Sequence, residues 1–134
     1  ENGANLEAKD RYGRTPLGLA SSNGKTETAK LLIEKGGNPN AEDSVGMSPL
    51  HRASYMGRTE TAKLLIEKGA NPNAKDNDGR TSLHWASSYG TETAKLLIEK
   101  GANLEAEDRD GKTPLLVAIS NGDTETAKLL IEKG

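Results

Sequence analysis

The chain of 134 residues contains no cysteine and no phenylalanine, and its aromatic side chains are one tryptophan and three tyrosines. Without thiols there is neither a disulfide framework nor a thiolate metal site, and the redox compartment stays open with a lean toward the cell interior. A hydrophobic content of 33 % with 3 % aromatics is thin for one compact core. It suffices where each of several units buries one stripe against its neighbours, so a core of small aliphatic residues is expected. Long apolar runs are also missing: Leu115 to Ile119 is the longest, far short of the ~20 residues a membrane-spanning helix needs. No membrane insertion is expected, and the chain reads as soluble. Charge of one sign is lacking too, since the formal net charge is -2, which argues against a general nucleic-acid or membrane binder as long as the charges are evenly spread.

Catalytic and metal chemistry is equally short of parts. The two histidines, His51 and His84, are 33 residues apart in sequence, with no cysteine beside them to complete a zinc site. Asp76-Asn77-Asp78-Gly79 resembles the opening of a calcium loop, but its glycine comes too early, Arg80 stands at a ligand place and no bidentate glutamate follows at the required spacing. It reads as a turn. There is no glycine-rich phosphate cradle, no nucleophile elbow, and no carboxylate pair outside repeated, exposed positions. No enzyme activity, cofactor, metal or small-molecule substrate is expected.

What the chain has in abundance is repetition. The string Thr-Glu-Thr-Ala-Lys-Leu-Leu-Ile-Glu-Lys-Gly occurs four times, ending at Gly36, Gly69, Gly101 and Gly134, at spacings of 33, 32 and 33 residues. A period near this length belongs to a stacked solenoid, in which each unit contacts only its neighbours. Thr15-Pro16 and Thr113-Pro114 read as an N-cap followed by proline at the first helical position, where its missing donor is harmless. A short first helix follows, ending at Gly24 or Gly122. The constant string is the second helix: its Ala, Leu and Ile share one broad face, and Glu27, Lys30 and Glu34 offer i,i+3 and i,i+4 pairs outward. Gly36 stands at the C′ position. Turn formers such as Asn38-Pro39-Asn40 and Asp10-Arg11-Tyr12-Gly13 then build an extended finger that leads to the next helix pair.

Thr15-Pro16-Leu17, Ser48-Pro49-Leu50-His51-Arg52-Ala53, Thr81-Ser82-Leu83-His84-Trp85-Ala86 and Thr113-Pro114-Leu115 resemble the Thr-Pro-Leu-His-x-Ala signature of ankyrin repeats. The resemblance covers essentially the whole chain. It implies an all-α solenoid of helix-turn-helix units joined by β-hairpin-like fingers, forming a single domain over residues 1–134. A tail of a preceding unit would occupy residues 1–5, with repeats at approximately 6–38, 39–71, 72–103 and 104–134. It also implies a non-catalytic protein-binding scaffold that uses its finger tips and the concave face of its first helices, although fold alone names no partner.

Departures from the family pattern carry their own expectations. The motif histidine is replaced by Gly18 and Leu116 in the outer repeats, so the inter-repeat hydrogen bonds it would make are lost there. Threonines (Thr26, Thr28, Thr59, Thr61, Thr91, Thr93, Thr124 and Thr126) stand where the family has larger aliphatic residues. Each hydroxyl needs an acceptor, for which a carbonyl one turn back is expected, and a stability below that of an idealised array follows. Gly90 runs directly into Thr91, one residue shorter than in the other copies, so a tighter turn is expected there. Neither end exchanges apolar for charged residues. With Glu1 to Asn5 matching the tail of a preceding unit and the last copy stopping at Gly134, the chain reads as a piece of a longer array, and its uncapped ends are expected to be open to end-to-end self-association or terminal fraying.

Variation between copies is concentrated in the fingers and first helices. The finger tips are Arg11, Tyr12 and Arg14; Ser44, Val45 and Met47; Asn77, Asp78 and Arg80; Arg109, Asp110 and Lys112. The first-helix positions expected to be exposed are Leu19, Ser22 and Asn23; Arg52, Tyr55 and Met56; Trp85, Ser88 and Tyr89; Val117, Ser120 and Asn121. All aromatics, both methionines and five of the six arginines fall in this set, the residue types enriched at interfaces and hot spots. It holds six cations (Arg11, Arg14, Arg52, Arg80, Arg109, Lys112) and two carboxylates (Asp78, Asp110), a balance of +4 that leaves -6 for the rest. The partner-binding set is thus Arg11, Tyr12, Arg14, Val45, Met47, Arg52, Tyr55, Met56, Asp78, Arg80, Trp85 and Tyr89. Within it Tyr55, Trp85, Tyr89 and Arg52 serve as anchors and Arg11, Arg14 and Arg80 as steering charges. The partner expected is a protein with acidic and apolar surface. Four repeats about 10 Å apart give a face about 30 Å long, enough for an interface of about 800 Å² per partner. The alternative is a structural spacer or self-stacking segment; nucleic acid is disfavoured because stacking aromatics are few.

Overall fold

The computed structural model describes residues 3–89 and 91–133, with Tyr89 described in its backbone alone. Among these residues eight helices succeed one another in pairs and no strand occurs. The pairs are α1 (Pro16–Ser22) with α2 (Thr26–Glu34), α3 (Pro49–Tyr55) with α4 (Thr59–Glu67), α5 (Ser82–Tyr89) with α6 (Thr91–Glu99), and α7 (Pro114–Ser120) with α8 (Thr124–Lys133). Each first helix packs on its own second helix and on the first helices of adjoining units, while second helices lie side by side. This is the stack of helix pairs that the resemblance implies. The turn after α5 runs through Gly90, so the shortened turn expected there lies outside the described residues.

The first helices start where the Thr/Ser-Pro pairs place them. Thr15 Oγ1 accepts from Gly18 N at 3.1 Å, and Thr113 Oγ1 from Leu116 N at 3.4 Å. At α3 the cap is reciprocal: Ser48 Oγ accepts from His51 N at 3.3 Å while the ring Nδ1 of His51 accepts from Ser48 N at 3.1 Å. Each such cap contributes about 1 kcal/mol. From these helices Leu17, Leu50 and Leu83 turn inward onto Ala29, Ala62, Ala94, Leu65, Leu97 and Leu130 of the second helices. The core is aliphatic and built from small residues.

The threonines differ from expectation in their partners. Their hydroxyls bond across the repeat boundary: Thr26 to Thr61 at 2.7 Å, Thr59 to Thr93 at 2.7 Å and Thr91 to Thr126 at 3.2 Å. Thr61, Thr93 and Thr126 are buried, and one bond per interface runs down the stack of second helices. A cross-repeat partner wins over an intrahelical carbonyl because the facing threonine is itself buried and needs satisfaction. Thr28 and Thr124, at the two ends of this ladder, are exposed.

The fingers are hairpin-like, each closed by a backbone bond: Asp10 N to Arg14 O at 3.1 Å, Asp43 N to Met47 O at 3.0 Å, Asp76 N to Arg80 O at 2.9 Å and Asp108 N to Lys112 O at 2.9 Å. Between neighbouring fingers run the backbone bonds Ser44 N to Tyr12 O at 3.0 Å, Asn77 N to Val45 O at 3.1 Å and Arg109 N to Asp78 O at 2.9 Å. Glycine is required at the tips. Gly79 has φ +75° and a Cβ there would lie 2.9 Å from Arg109 N of the next finger.

Candidate functional site

Every finger is organised by one aspartate at the same place in each copy: Asp10, Asp43, Asp76 and Asp108. Its Oδ1 accepts from the backbone N–H groups two and four residues on, at 2.8 to 3.0 Å in all four fingers. That leaves Oδ2 for a side chain of the variable face. Where the residue nine places on carries a donor, Oδ2 takes it: Arg52 Nε donates to Asp43 at 2.9 Å and Trp85 Nε1 to Asp76 at 2.9 Å. Where that residue is Leu19 or Val117, Oδ2 takes a finger arginine instead, Arg14 Nε on Asp10 at 2.8 Å and Arg80 Nε on Asp108 at 3.2 Å. These aspartates were the functional residues sequence reasoning missed, and their recurrence at one position in four copies was the available signal.

The consequence is a correction to the charge of the face. With the four finger aspartates counted, six carboxylates stand against the six cations, and Arg14, Arg52 and Arg80 are each paired with one of them. The face is balanced rather than basic, and the steering role expected of Arg14 and Arg80 is neutralised locally. Arg11 remains exposed at its tip. Hydrogen bonds from the backbone of Arg14 hold Asp10 below the ordinary carboxylate range, assisted by the Arg14 side chain. Burial alone would raise Asp108, but N–H groups of Lys112 and Asp110 and the Arg80 guanidinium outweigh it, and its pKa is also lowered.

The expected anchors fall into distinct places. Trp85 is fixed on three sides: by Asp76, by the Arg80 guanidinium 5.1 Å from its ring centroid, and by Tyr55, whose ring meets it edge-on at 5.0 Å and 79°. Tyr12, Val45 and Met56 are exposed, with Arg14 stacked over Tyr12 at 5.1 Å; Asp78 is exposed at its tip. Met47 is 6 % exposed, so it packs at the base of its finger and offers no contact area. Val117 is likewise buried rather than exposed. The side chain of Tyr89 lies outside the described residues.

Between the fingers and the first helices of the third and fourth units lies an open cleft of about 440 Å³, lined by Tyr55, Arg80, Trp85, Lys112 and Val117 with Ser88, Ser120 and Asn121 at its rim. A second cleft of about 410 Å³ shares Arg80 and Trp85 and is bounded by Asp78, Asp108, Arg109 and Asp110. Both lie in the range of sites that take a small group or a few side chains.

The two histidines tie this region together. The Nδ1 of His84 accepts from Thr81 N at 3.0 Å, which leaves its Nε2–H to donate to Lys112 O at 2.8 Å. His51 does the same between Ser48 and Arg80 O, at 3.1 and 3.0 Å. Burial lowers both pKa values against the opposing pull of the two carbonyls, and a proton on Nδ1 would face a backbone N–H. They are structural joints between repeats two, three and four. Among the described residues no group of three or more His, Cys, Asp or Glu side chains could hold a metal, and no helix is long and apolar enough to cross a membrane.

No curated protein matches the sequence. The family described as ankyrin repeats (3 copies) matches residues 2–76 and again 69–134. Ankyrin repeats are in general protein–protein interaction modules and typically non-catalytic. With stacked helix pairs, linked fingers and a family match that spans nearly every residue, the chain belongs to the ankyrin-repeat family.

Proposed function

We propose that this chain is a non-catalytic protein-binding module that engages its partner along the groove between fingers and first helices, centred on Tyr55 and Trp85 and flanked by Arg11, Tyr12, Val45, Arg52, Met56 and Asp78. The observation that carries this is the immobilised Trp85, held by Asp76, Arg80 and Tyr55 at the wall of the cleft. A large side chain ordered before contact loses little entropy on binding, which is what an anchor requires. The partner contributes apolar anchors more than bulk negative charge, because the face is balanced. The test is capture of proteins from a lysate of the source organism by the parent chain and by Trp85→Ala, with circular dichroism on both. Proteins retained only by the parent support the reading; equal retention by a folded Trp85→Ala chain refutes it.

A second reading, self-stacking, is favoured by the last helix pair. Leu116, Ile119 and Ile131 are 47, 58 and 64 % exposed, at places where inner repeats hold buried His51 and Ser54 or half-buried Ile66. Concentration-dependent sedimentation that Ile119→Lys abolishes would support it.

A further inference from the structure

We propose that the cleft between α5 and α7 receives an acidic side chain, Asp or Glu, of an extended peptide segment whose neighbouring apolar side chain lies on Trp85. The inference rests on the protein-binding reading and adds to it the chemistry of one subsite.

The argument begins with charge. Arg14, Arg52 and Arg80 each have a carboxylate within ion-pair distance. Lys112 occupies the same finger position as Arg14 and Arg80 and lines the cleft, yet among the described residues no carboxylate lies within 4.0 Å of its ammonium group. Of the two aspartates of its own finger, Asp108 is already engaged by Arg80 and by two backbone N–H groups, and Asp110 stands exposed at the tip, lining the other cleft. Lys112 is nevertheless well positioned, because its N–H is bonded to Asp108 at 2.8 Å and its carbonyl to His84 at 2.8 Å. It is a cation on a rigid backbone, in a recess, with its counter-charge unsupplied.

The surroundings select the occupant. Tyr55, Trp85 and Val117 give the cleft an apolar wall, suited to a side chain next to the acid rather than to the acid itself. At the rim Asn121 Nδ2 donates to Ser88 Oγ at 2.9 Å, so the Ser88 hydroxyl proton is available to an incoming acceptor. Among the described residues no carboxylate lines this cleft, and the neighbouring Asp76 and Asp108, each 8 % exposed, have both oxygens bonded, so a cationic side chain finds no accessible partner within it. On the far side of Arg80 the second cleft carries the exposed Asp78 and Asp110, which repel an acid and direct it toward Lys112.

The experiment pans a phage-displayed random peptide library against the full chain, then titrates synthetic versions of the selected peptides while following the fluorescence of Trp85, the chain's one tryptophan. Selected peptides should carry Asp or Glu beside an aromatic or large aliphatic residue. Lys112→Met should weaken them about tenfold, as loss of one charge-assisted contact does. Changing the peptide acid to its amide should have the same effect, and the two losses together should not exceed either alone. Lys112→Met removes only a side chain that is partly exposed, and circular dichroism checks that it folds. Peptides that depend on Trp85 but are indifferent to Lys112 overturn the acidic subsite and leave the protein-binding reading intact. Peptides indifferent to both Trp85→Ala and Lys112→Met, or no selected peptides, overturn both. Retention of oligonucleotide through Lys112 with no peptide selected would assign the cleft to phosphate and overturn the proposal.

Discussion

Replacing Thr93 by valine tests whether the hydroxyl ladder between repeats stabilises the stack or merely tolerates a polar residue. Thr93 is buried, and its hydroxyl meets Thr59 at 2.7 Å across the boundary between repeats two and three. Valine keeps the volume but leaves the half-buried Thr59 hydroxyl without this partner, a loss of about 1 kcal/mol. For a chain of this length that corresponds to a melting shift of about 3–6 °C. Thr59→Val should behave alike. The double variant Thr59→Val/Thr93→Val replaces both partners by apolar groups of the same shape and should return to within about 0.5 kcal/mol of the parent, giving a coupling of about 2 kcal/mol in magnitude. Thr126 should be the most sensitive position of the ladder, because its hydroxyl also donates to Asp123 at 2.6 Å, while exposed Thr28 should be neutral. Urea unfolding followed by circular dichroism measures each, with the slope checked for loss of cooperativity, since repeat arrays can unfold in parts. A stabilised Thr93→Val single variant would refute the reasoning and show that the aliphatic residue is simply the better packer.

Two other predictions concern the joints between repeats. Gly79→Ala should destabilise more than Gly111→Ala by over about 1 kcal/mol, because both glycines have positive φ, +75° and +78°, but only at Gly79 does a Cβ meet the next finger's backbone; equal losses in urea unfolding would remove the finger contact from the account. Stability should also fall on acidification. His51 and His84 have folded pKa values lowered from 6.5, so the unfolded chain takes up protons first and stability is level above that pH and declines below it; Asp108, lowered from 3.8, contributes stability that is complete above that value and is lost in a second window below it, as pH falls through the lower folded pKa. A urea midpoint constant from about pH 8 down to about pH 5 would contradict the histidine part.

The fold was legible because the same letters recur at the same spacing: caps at Thr15 and Thr113, prolines at the first helical position, and a constant second helix all point to one unit repeated. The hydroxyl partners were not legible, because a threonine facing its own helix and one facing the next repeat have the same local sequence, and only the stack decides. Exposure was misread at Met47 and Val117 for a related reason. Variation between copies does not by itself mark the surface: Met47 and Val117 differ from their counterparts in the other copies and are buried. The charge of the face was misjudged because aspartates present in every copy were treated as turn formers, which they are, and their second oxygen was left out.

That second oxygen explains how a repeating scaffold can hold unlike side chains of the variable face. Oδ1 is committed to the finger in all four copies, so Oδ2 is fixed in space before any side chain of the face is chosen. Any donor that can reach it is then ordered without a change in backbone: Arg52 and Trp85 from the helix nine residues on, Arg14 from the same finger, Arg80 from the finger before. A long flexible arginine held in this way contributes less entropy loss on binding than a solvated one, but it also brings its charge already neutralised. On the proposed reading, recognition by these arginines therefore rests on shape and stacking, as at Trp85, and charge selectivity passes to the cations of the face that have no ion pair among the described residues, Arg11, Arg109 and Lys112, of which Lys112 lines the cleft beside Trp85.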